Sequence, residues 1–393
     1  MTSVYYISPS ILPSRTANSA HVAHQCAGLA MAGAKVTLVT KRGIADPSRL
    51  PEAISTAYGI SSNSFATLSY FSRSEWGNSL RIAVLALAQL ARQARPDLVI
   101  SRNLYAAYIL AVALRWPLVF ETHQLEFGLR KLLQCAIMTR PNTLTVVISE
   151  QLKSILTDHH SVAPACSIVL HDAAPAGIEP LAPSHRYSEL AALVPNLDIS
   201  EWESVCGYFG HLYAGRGIKI IESMAAARPN VLFLVVGGNN ADVAAHRSNT
   251  CLENLVYTGF VQHPVALRAM SACDVLLMPY QRNVSIGVAN QDTARWMSPM
   301  KMFEYLASGT PIISSDLPVL REVLEDGHTA LLAPPDVPEA WIGCLDRLLD
   351  DPDLAETIGA AGHQAYLTKH TWQLRAEAIL AAAKASMAAQ KNP

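Results

Sequence analysis

The sequence predicts an α/β protein made of two Rossmann-like halves facing a central cleft. Three observations predict it. Short β-branched segments alternate with helical stretches along the whole chain, the pattern of parallel sheets. The alternation lapses once, through a passage holding Pro175, Pro180, Pro183 and Pro195, and then restarts. At 393 residues the chain is also long for a single core.

Strands of the first half are expected at 4–7, 35–40, 66–70, 98–101, 118–121, 143–148 and 168–170, with helices near 18–32, 79–94, 104–114, 126–138 and 149–158. In the second half strands fit 205–209, 231–236, 255–258, 275–278 and 311–314, with helices near 216–227, 263–272, 299–308, 319–325, 338–350 and 353–366. An Ala-rich helix closes the chain from Thr371. The expected division is a first domain 1–175 joined by 371–393, a linker 176–200, and a second domain 201–370. Ligands of such sheets bind beyond the carboxyl ends of the strands.

Composition narrows the function. Half the residues are hydrophobic, 16% are charged and the net charge is −2, which suits a packed globular protein. No basic stripe is present, so nucleic acid is excluded as the expected partner. Seven scattered cysteines without CxxC spacing fit a reduced, cytoplasmic protein. The N-terminus lacks a basic segment followed by an apolar core, so no signal peptide is expected. The longest apolar run, 104–114, has eleven residues and is too short to span a bilayer.

The most informative segment is SPMKMFEYLASGTPIISSD, from Ser298 to Asp316. Ser298 suits an N-cap, Pro299 the first helical position, Gly309 a left-handed terminus, and Pro311 prevents continuation. Lys301 and Glu304 share one face with Tyr305 and Ser308. A first-turn lysine opposes the helix dipole, and an anion bound at the helix start removes the conflict. A surface Lys–Glu pair explains the same spacing equally well.

The turn GYFGHLYAGRG, 207–217, follows a strand and opens a helix, with four glycines in eleven residues. It permits close approach of backbone to a ligand, and Arg216 could grip phosphate oxygens. It is neither GxGxxG nor a Walker loop, and a tight turn needs glycine without any ligand. The turns at Gly237 and at Gly259-Phe260 also end expected strands.

Together these blocks resemble the donor domain of retaining GT-B glycosyltransferases of glycosyltransferase family 4. The similarity runs through GYFGHLYAGRGIKIIESMA, VLFLVVGG, VYTGFV, ACDVLLMPY and SPMKMFEYLASGTPIISSDLPVLREVLEDGHTALLAPPD. The first half resembles the acceptor domain through PSRTANSAHVAHQCAGLAMAGAKVTLVT, FETHQ and VVISEQLK, and TWQLRAEAIL resembles the final helix that crosses back to the first domain.

The resemblance implies single-residue roles. Arg216 matches a family lysine on the donor diphosphate, while His211 stands where the family has arginine. Glu304 matches the second of two glutamates spaced eight apart, the one contacting the donor ribose, and Trp296 stands at the first. Lys301 is the cation of an SPxK-type variant that can compensate at the diphosphate, with Pro299 and Met300 at the same helix start. Gly210 and Gly237 belong to donor-side turns, and backbone near Phe260 to the base. His123 matches a histidine near the reacting sugar; a lone loop or core histidine is the plain reading. Asn18 and Ser19 occupy a loop facing the diphosphate, and Asn18 could equally cap the following helix.

Other patterns read as decoys. Asp351-Pro-Asp353 resembles a metal motif but falls where Asp351 would cap a helix. His21 and His24 lie three apart on a helix, with no further His or Cys nearby to complete a metal site. His159 and His160 are adjacent and would not face one ligand. The segment 129–140 is an amphipathic helix with basic ends, read chiefly as packing on the sheet and secondarily as peripheral contact with an anionic membrane.

The resemblance thus implies a metal-independent transferase with no cofactor beyond its nucleoside-diphosphate-sugar substrate. Its partners would be that donor and a carbohydrate or lipid-linked acceptor, in polysaccharide or glycolipid synthesis. The substitutions at 211 and 296 also leave open a catalytically weak sugar-nucleotide-binding subunit. A nicotinamide oxidoreductase is disfavoured, since no GxGxxG turn is followed by an acidic residue about twenty positions on.

Overall fold

The computed structural model describes residues 1–73, 77–285 and 292–391. It divides into two compact units, Met1–Asp172 with Thr371–Pro393, and Ala173–His370. Each is a parallel sheet flanked by helices, the Rossmann-like α/β arrangement expected.

The first sheet contains β1 (Ser3–Leu12), β2 (Lys35–Arg42), β3 (Ala66–Phe71), β4 (Leu98–Ser101), β5 (Leu118–Thr122), β6 (Thr143–Val147) and β7 (Ser167–Val169). Its order is β3-β2-β1-β4-β5-β6-β7, and every pairing is parallel. β4, β5 and β6 are buried along their whole length, as strands of a parallel sheet covered on both faces are. The order reverses between β1 and β4, so the carboxyl ends of those strands flank the switch point.

The chain returns to this unit at its end. The helix Trp372–Lys391 buries Trp372, Ala376, Ile379 and Ala383, a helical spacing that lays one stripe on the core beside Val22, Cys26 and Leu29. Fully burying a side chain such as Ile379 contributes about 1.5–3 kcal/mol. The contact leaves no room for a side chain at Gly28, where a Cβ would stand 2.3 Å from the Trp372 carbonyl oxygen.

The second sheet contains β8 (Ser204–Phe209), β9 (Val231–Val236), β10 (Leu255–Gly259), β11 (Val275–Met278), β12 (Ile312–Ser315) and β13 (Leu331–Ala333), in the order β10-β9-β8-β11-β12-β13, all parallel. Its switch point lies between β8 and β11.

Several elements differ from expectation. β13 has three residues, too few for a period-two pattern to register, and the helices Leu50–Tyr58 and Asn240–Asn249 are likewise additional. The expected helix 319–325 is only a short 3₁₀ turn, Leu320–Glu322. The stretch expected as a linker carries the helix Pro183–Leu193, and Leu190, Val194 and Ile199 sit in the second unit's core. Pro183 at the start of that helix obscured it, although proline is tolerated in a first turn. Residues 392 and 393 of the expected terminal segment lie outside the described residues.

Candidate functional site

In the second unit three turns leave the carboxyl ends of adjacent strands and are bonded to one another. Gly210 N–H donates to Val236 O at 2.9 Å, and Gly237 N–H donates to Gly259 O at 2.8 Å. Gly237 has φ 123°, and a Cβ there would stand 2.1 Å from the Gly210 carbonyl oxygen. Glycine is therefore required for the two turns to nest. Tyr305 reinforces the first of them, its hydroxyl accepting from Phe209 N–H at 2.8 Å.

The helix Met300–Ser308 begins with Pro299 in the N-cap position and without a side-chain cap. This corrects the expected arrangement of a Ser298 cap followed by Pro299 inside the helix. The far end is as expected, with Gly309 left-handed at φ 71°. Met300 and Glu304 are buried and Pro299 and Lys301 half-buried, so the face read as a surface Lys–Glu pair is largely enclosed.

Lys301 and Arg216 converge on Tyr280, just beyond β11. The Lys301 ammonium lies 4.0 Å from the Tyr208 ring centre and 4.8 Å from that of Tyr280. The Arg216 guanidinium lies 5.1 Å from the Tyr280 ring centre, and its Nη1–H donates to the Tyr280 hydroxyl at 2.9 Å. Another Arg216 N–H donates to Ser285 O at 3.3 Å, while Nε has no hydrogen-bond partner among the described residues. Neither cation forms an ion pair with a carboxylate among the described residues. Burial, with the Arg216 charge adding, holds the Lys301 pKa well below that of an ordinary lysine, and Glu304 opposes the shift. Two cations beside aromatic faces at a sheet's switch point form a cradle for an anion.

Around this cradle, Glu304 Oε1 accepts from His263 Nε2–H at 2.6 Å. His211 stacks on Tyr213 with ring centres 4.8 Å apart, and its carbonyl oxygen accepts from the Tyr208 hydroxyl at 2.7 Å. Phe260 is exposed just past β10.

In the first unit the expected residues Asn18 and Ser19 stand beyond β1. Asn18 does not cap the helix Ala17–Met31, which starts one residue earlier; its amide donates to Ser10 Oγ at 2.7 Å, and its oxygen accepts from Arg102 Nη2–H at 2.5 Å. Arg102 follows β4, so this bond spans the switch point of the first sheet. Ser19 is buried, and its hydroxyl donates to Ile11 O at 2.7 Å. It holds the loop together from within.

His123 follows β5 and bonds Glu121 at 3.1 Å. Glu121 is the centre of a buried polar cluster. Its Oε1 also accepts from His21 Nε2–H at 2.9 Å and from Arg375 Nη2–H at 2.8 Å, and its Oε2 from the Tyr6 hydroxyl at 2.7 Å. Arg375 further bonds Gln25 and His171 O. Against the cost of burial, the Arg375 and His21 neighbours hold the Glu121 carboxyl well below the usual carboxylate range. Burial, with the Arg102 charge adding, pushes His123 down to about 3.

The cluster corrects the dismissal of His21. That residue gains companions from distant sequence: its Nδ1 lies 3.0 Å from Asp172 Oδ1, and donor atoms of His21, His123 and Asp172 all lie within 4.8 Å of one another. Arg375 and Arg102, whose charges act on Glu121 and His123, disfavour a metal ion there. The other decoys behave as expected. Asp351 caps the helix Pro352–Lys369, and His159 and His160 bond separate partners. The helix Leu129–Met138 buries Gln134, Ile137 and Met138 while leaving Leu129, Leu132 and the preceding Phe127 exposed.

Sequence reasoning missed Tyr208, Tyr280, His263, Glu121 and Arg375. Tyr280 closes the apolar run VLLMPY and Glu121 closes LVFE, so a polar group ending a buried strand was the available signal. His263 and Arg375 carry no local signal.

Both halves of the chain resemble domains of known proteins. Residues 19–172 match the family described as Glycosyltransferase Family 4, and residues 216–381 the family described as Glycosyl transferase-like. Beneath these two matches, each to a glycosyltransferase domain, lie the two Rossmann-like sheets of the GT-B fold. It is 28% identical over 156 residues to the phosphatidyl-myo-inositol mannosyltransferase of Mycobacterium tuberculosis, covering 39% of this chain and 38% of that protein. It is 26% identical over 173 residues to the D-inositol 3-phosphate glycosyltransferase of Jonesia denitrificans, covering 42% and 37%. The aligned parts thus span less than two fifths of those relatives' lengths. The fold is similar to sucrose-phosphate synthase from Thermosynechococcus elongatus, with TM-score 0.73, 19% identity and 99% and 100% of the two chains covered. It is also similar to HepE from Anabaena solved with UDP and glucose, with TM-score 0.72, 15% identity and 98% and 100% covered. No helix among the described residues is long and apolar enough to cross a membrane.

Proposed function

We propose that the chain transfers a sugar from a nucleoside-diphosphate sugar to an acceptor hydroxyl with retention of anomeric configuration, without a protein-held metal. The observation that carries the reading is the convergence of Arg216 and Lys301 on Tyr280, neither of them in an ion pair with a carboxylate among the described residues. A leaving diphosphate supplies the missing negative charge, and stabilising it where it develops is the main electrostatic task of such a site. The start of the helix Met300–Ser308 adds backbone amides to the same end of the sheet. Glu304 would hold the ribose, backbone beside Phe260 the base, and His123 with the Asn18 loop the sugar and acceptor.

Polysaccharide or glycolipid synthesis is the proposed setting, in line with relatives named for phosphatidyl-myo-inositol mannosylation and teichuronic acid biosynthesis, and the cytoplasmic face of a membrane is proposed with it. Exposed Phe127, Leu129 and Leu132 beside Lys131 support peripheral contact with anionic lipid, which vesicle co-sedimentation tests.

The decisive experiment is thermal unfolding with UDP-, GDP-, ADP- and TDP-sugars, followed by a turnover assay with the donor that binds. A ligand specific to the folded state raises the melting temperature. Arg216→Ala and Lys301→Ala should each remove that rise and the turnover while the protein stays folded; near-normal activity in both would overturn the assignment. A second reading, a sugar-nucleotide-binding subunit with little activity, is favoured by His211, which stacks on Tyr213 in the position of the family's arginine. Tight donor binding without turnover would select it.

A further inference from the structure

We propose that Glu121 is a positioning residue that fixes His123 as its Nε2–H tautomer, leaving Nδ1 to accept a hydrogen bond from a hydroxyl of the bound sugar or acceptor. The identity of the ligand rests on the transferase reading; the tautomer rests on the hydrogen bonds around Glu121 and the burial of the pair.

Glu121 makes four hydrogen bonds, from His21, His123, Arg375 and Tyr6. A carboxylate offers about four lone-pair sites and, when ionised, no donor. Arg375 can only donate, and its charge keeps Glu121 ionised. Each histidine nitrogen facing Glu121 must therefore carry a proton. For His123 that nitrogen is Nε2. Burial and the nearby Arg102 keep this ring neutral, so it carries one proton and Nδ1 has none.

Contrast with His21 shows which histidine faces a ligand. His21 keeps 2% of its side-chain surface and lies between two carboxylates, Glu121 at 2.9 Å and Asp172 at 3.0 Å. His123, 4.7 Å away in an edge-to-face contact, keeps 20% of its side-chain surface, and its Nδ1 makes no hydrogen bond among the described residues. One ring is support and the other presents an atom. A basic nitrogen that cannot pick up a proton in the working pH range is a constant acceptor, suited to orienting a hydroxyl.

Nitrogen-15 NMR of the full chain with labelled histidine reads the tautomer directly, the His123 signals being those lost in His123→Asn. An unprotonated Nδ1 beside a protonated Nε2, unchanged from about pH 5 to 8, is the expected result. A protonated Nδ1 overturns the proposal. Kinetics supply the second readout. The amide of His123→Asn occupies the Nδ1 position, whereas that of His123→Gln reaches the Nε2 position. With melting temperatures alike, the asparagine variant should retain at least about ten times the kcat/KM of the glutamine variant. The reverse order would mean that His123 serves only to bond Glu121. A rise in melting temperature with Zn²⁺ or Mn²⁺ that His123→Asn removes would also overturn it, by making Nδ1 a metal ligand. If no sugar nucleotide supports turnover, the transferase reading fails and the NMR result still decides the tautomer.

Discussion

His263 and Glu304 meet at 2.6 Å, from helices 41 residues apart in sequence. The bond engages Oε1 and leaves Oε2 without a hydrogen bond among the described residues. A buried carboxylate with one oxygen held and the other available is pre-oriented for a diol such as ribose. His263→Ala should therefore raise the donor KM by about ten- to a hundredfold while changing kcat less, and His263→Gln should recover part of the loss. Steady-state kinetics with varied donor check this; an equal fall in kcat would place His263 in the chemical step.

Lys301 is held against its ordinary protonation, so its charge costs the unliganded fold stability. Its folded pKa is depressed, and stability is lost as pH falls through and below the ordinary lysine value of 10.5. Lys301→Met removes that cost and keeps the volume. The variant should melt at a higher temperature than the parent protein and should lose the shift given by donor. Differential scanning calorimetry with and without nucleotide reads both effects.

Acid should weaken the first unit in two stages. His123 has a folded pKa of about 3 against an unfolded 6.5, so the unfolded chain takes up a proton that the fold refuses, and stability declines below about pH 6.5. Glu121 and Asp172 are depressed below 4.5 and 3.8, and their contribution is lost as pH falls through those values and beyond. Denaturant melts from pH 8 to 4 should show the decline, and His123→Asn should flatten its upper part. A flat profile in the parent protein would contradict the assigned neutral histidine.

Gly237→Ala should be among the more damaging single-methyl changes in the chain. The added Cβ meets the Gly210 carbonyl at 2.1 Å from a φ of 123°. We expect a loss of at least about 1–3 kcal/mol in urea unfolding, with donor affinity falling further because the Gly210 turn must move.

Much of the fold could be read before any coordinates, because buried parallel strands such as 231–236 and 275–278 are unbroken apolar runs. β13 and the helix Pro183–Leu193 escaped, one too short to show a period and the other opening on proline. Among the candidate residues of the two units, Arg216, Lys301, Glu304 and His123 stand out in the sequence through glycine turns, a helix start and local motifs. Their partners do not. Arg375 bonds Glu121 across 254 positions and Arg216 bonds Tyr280 across 64, and no local period encodes such pairings.

The terminal helix Trp372–Lys391 has a consequence for synthesis. The segment Met1–Asp172 leaves the ribosome before Ala173–His370, yet the stripe that covers Val22 and Leu29 and the cation that neutralises Glu121 are made after it. All of Ala173–His370 is translated in between. At about 5–20 residues per second that is a wait of roughly 10–40 s, during which the first sheet carries an uncovered apolar groove and an unmatched buried acid. The second unit, contiguous in sequence, can close as soon as it emerges, so the half begun first is the half finished last.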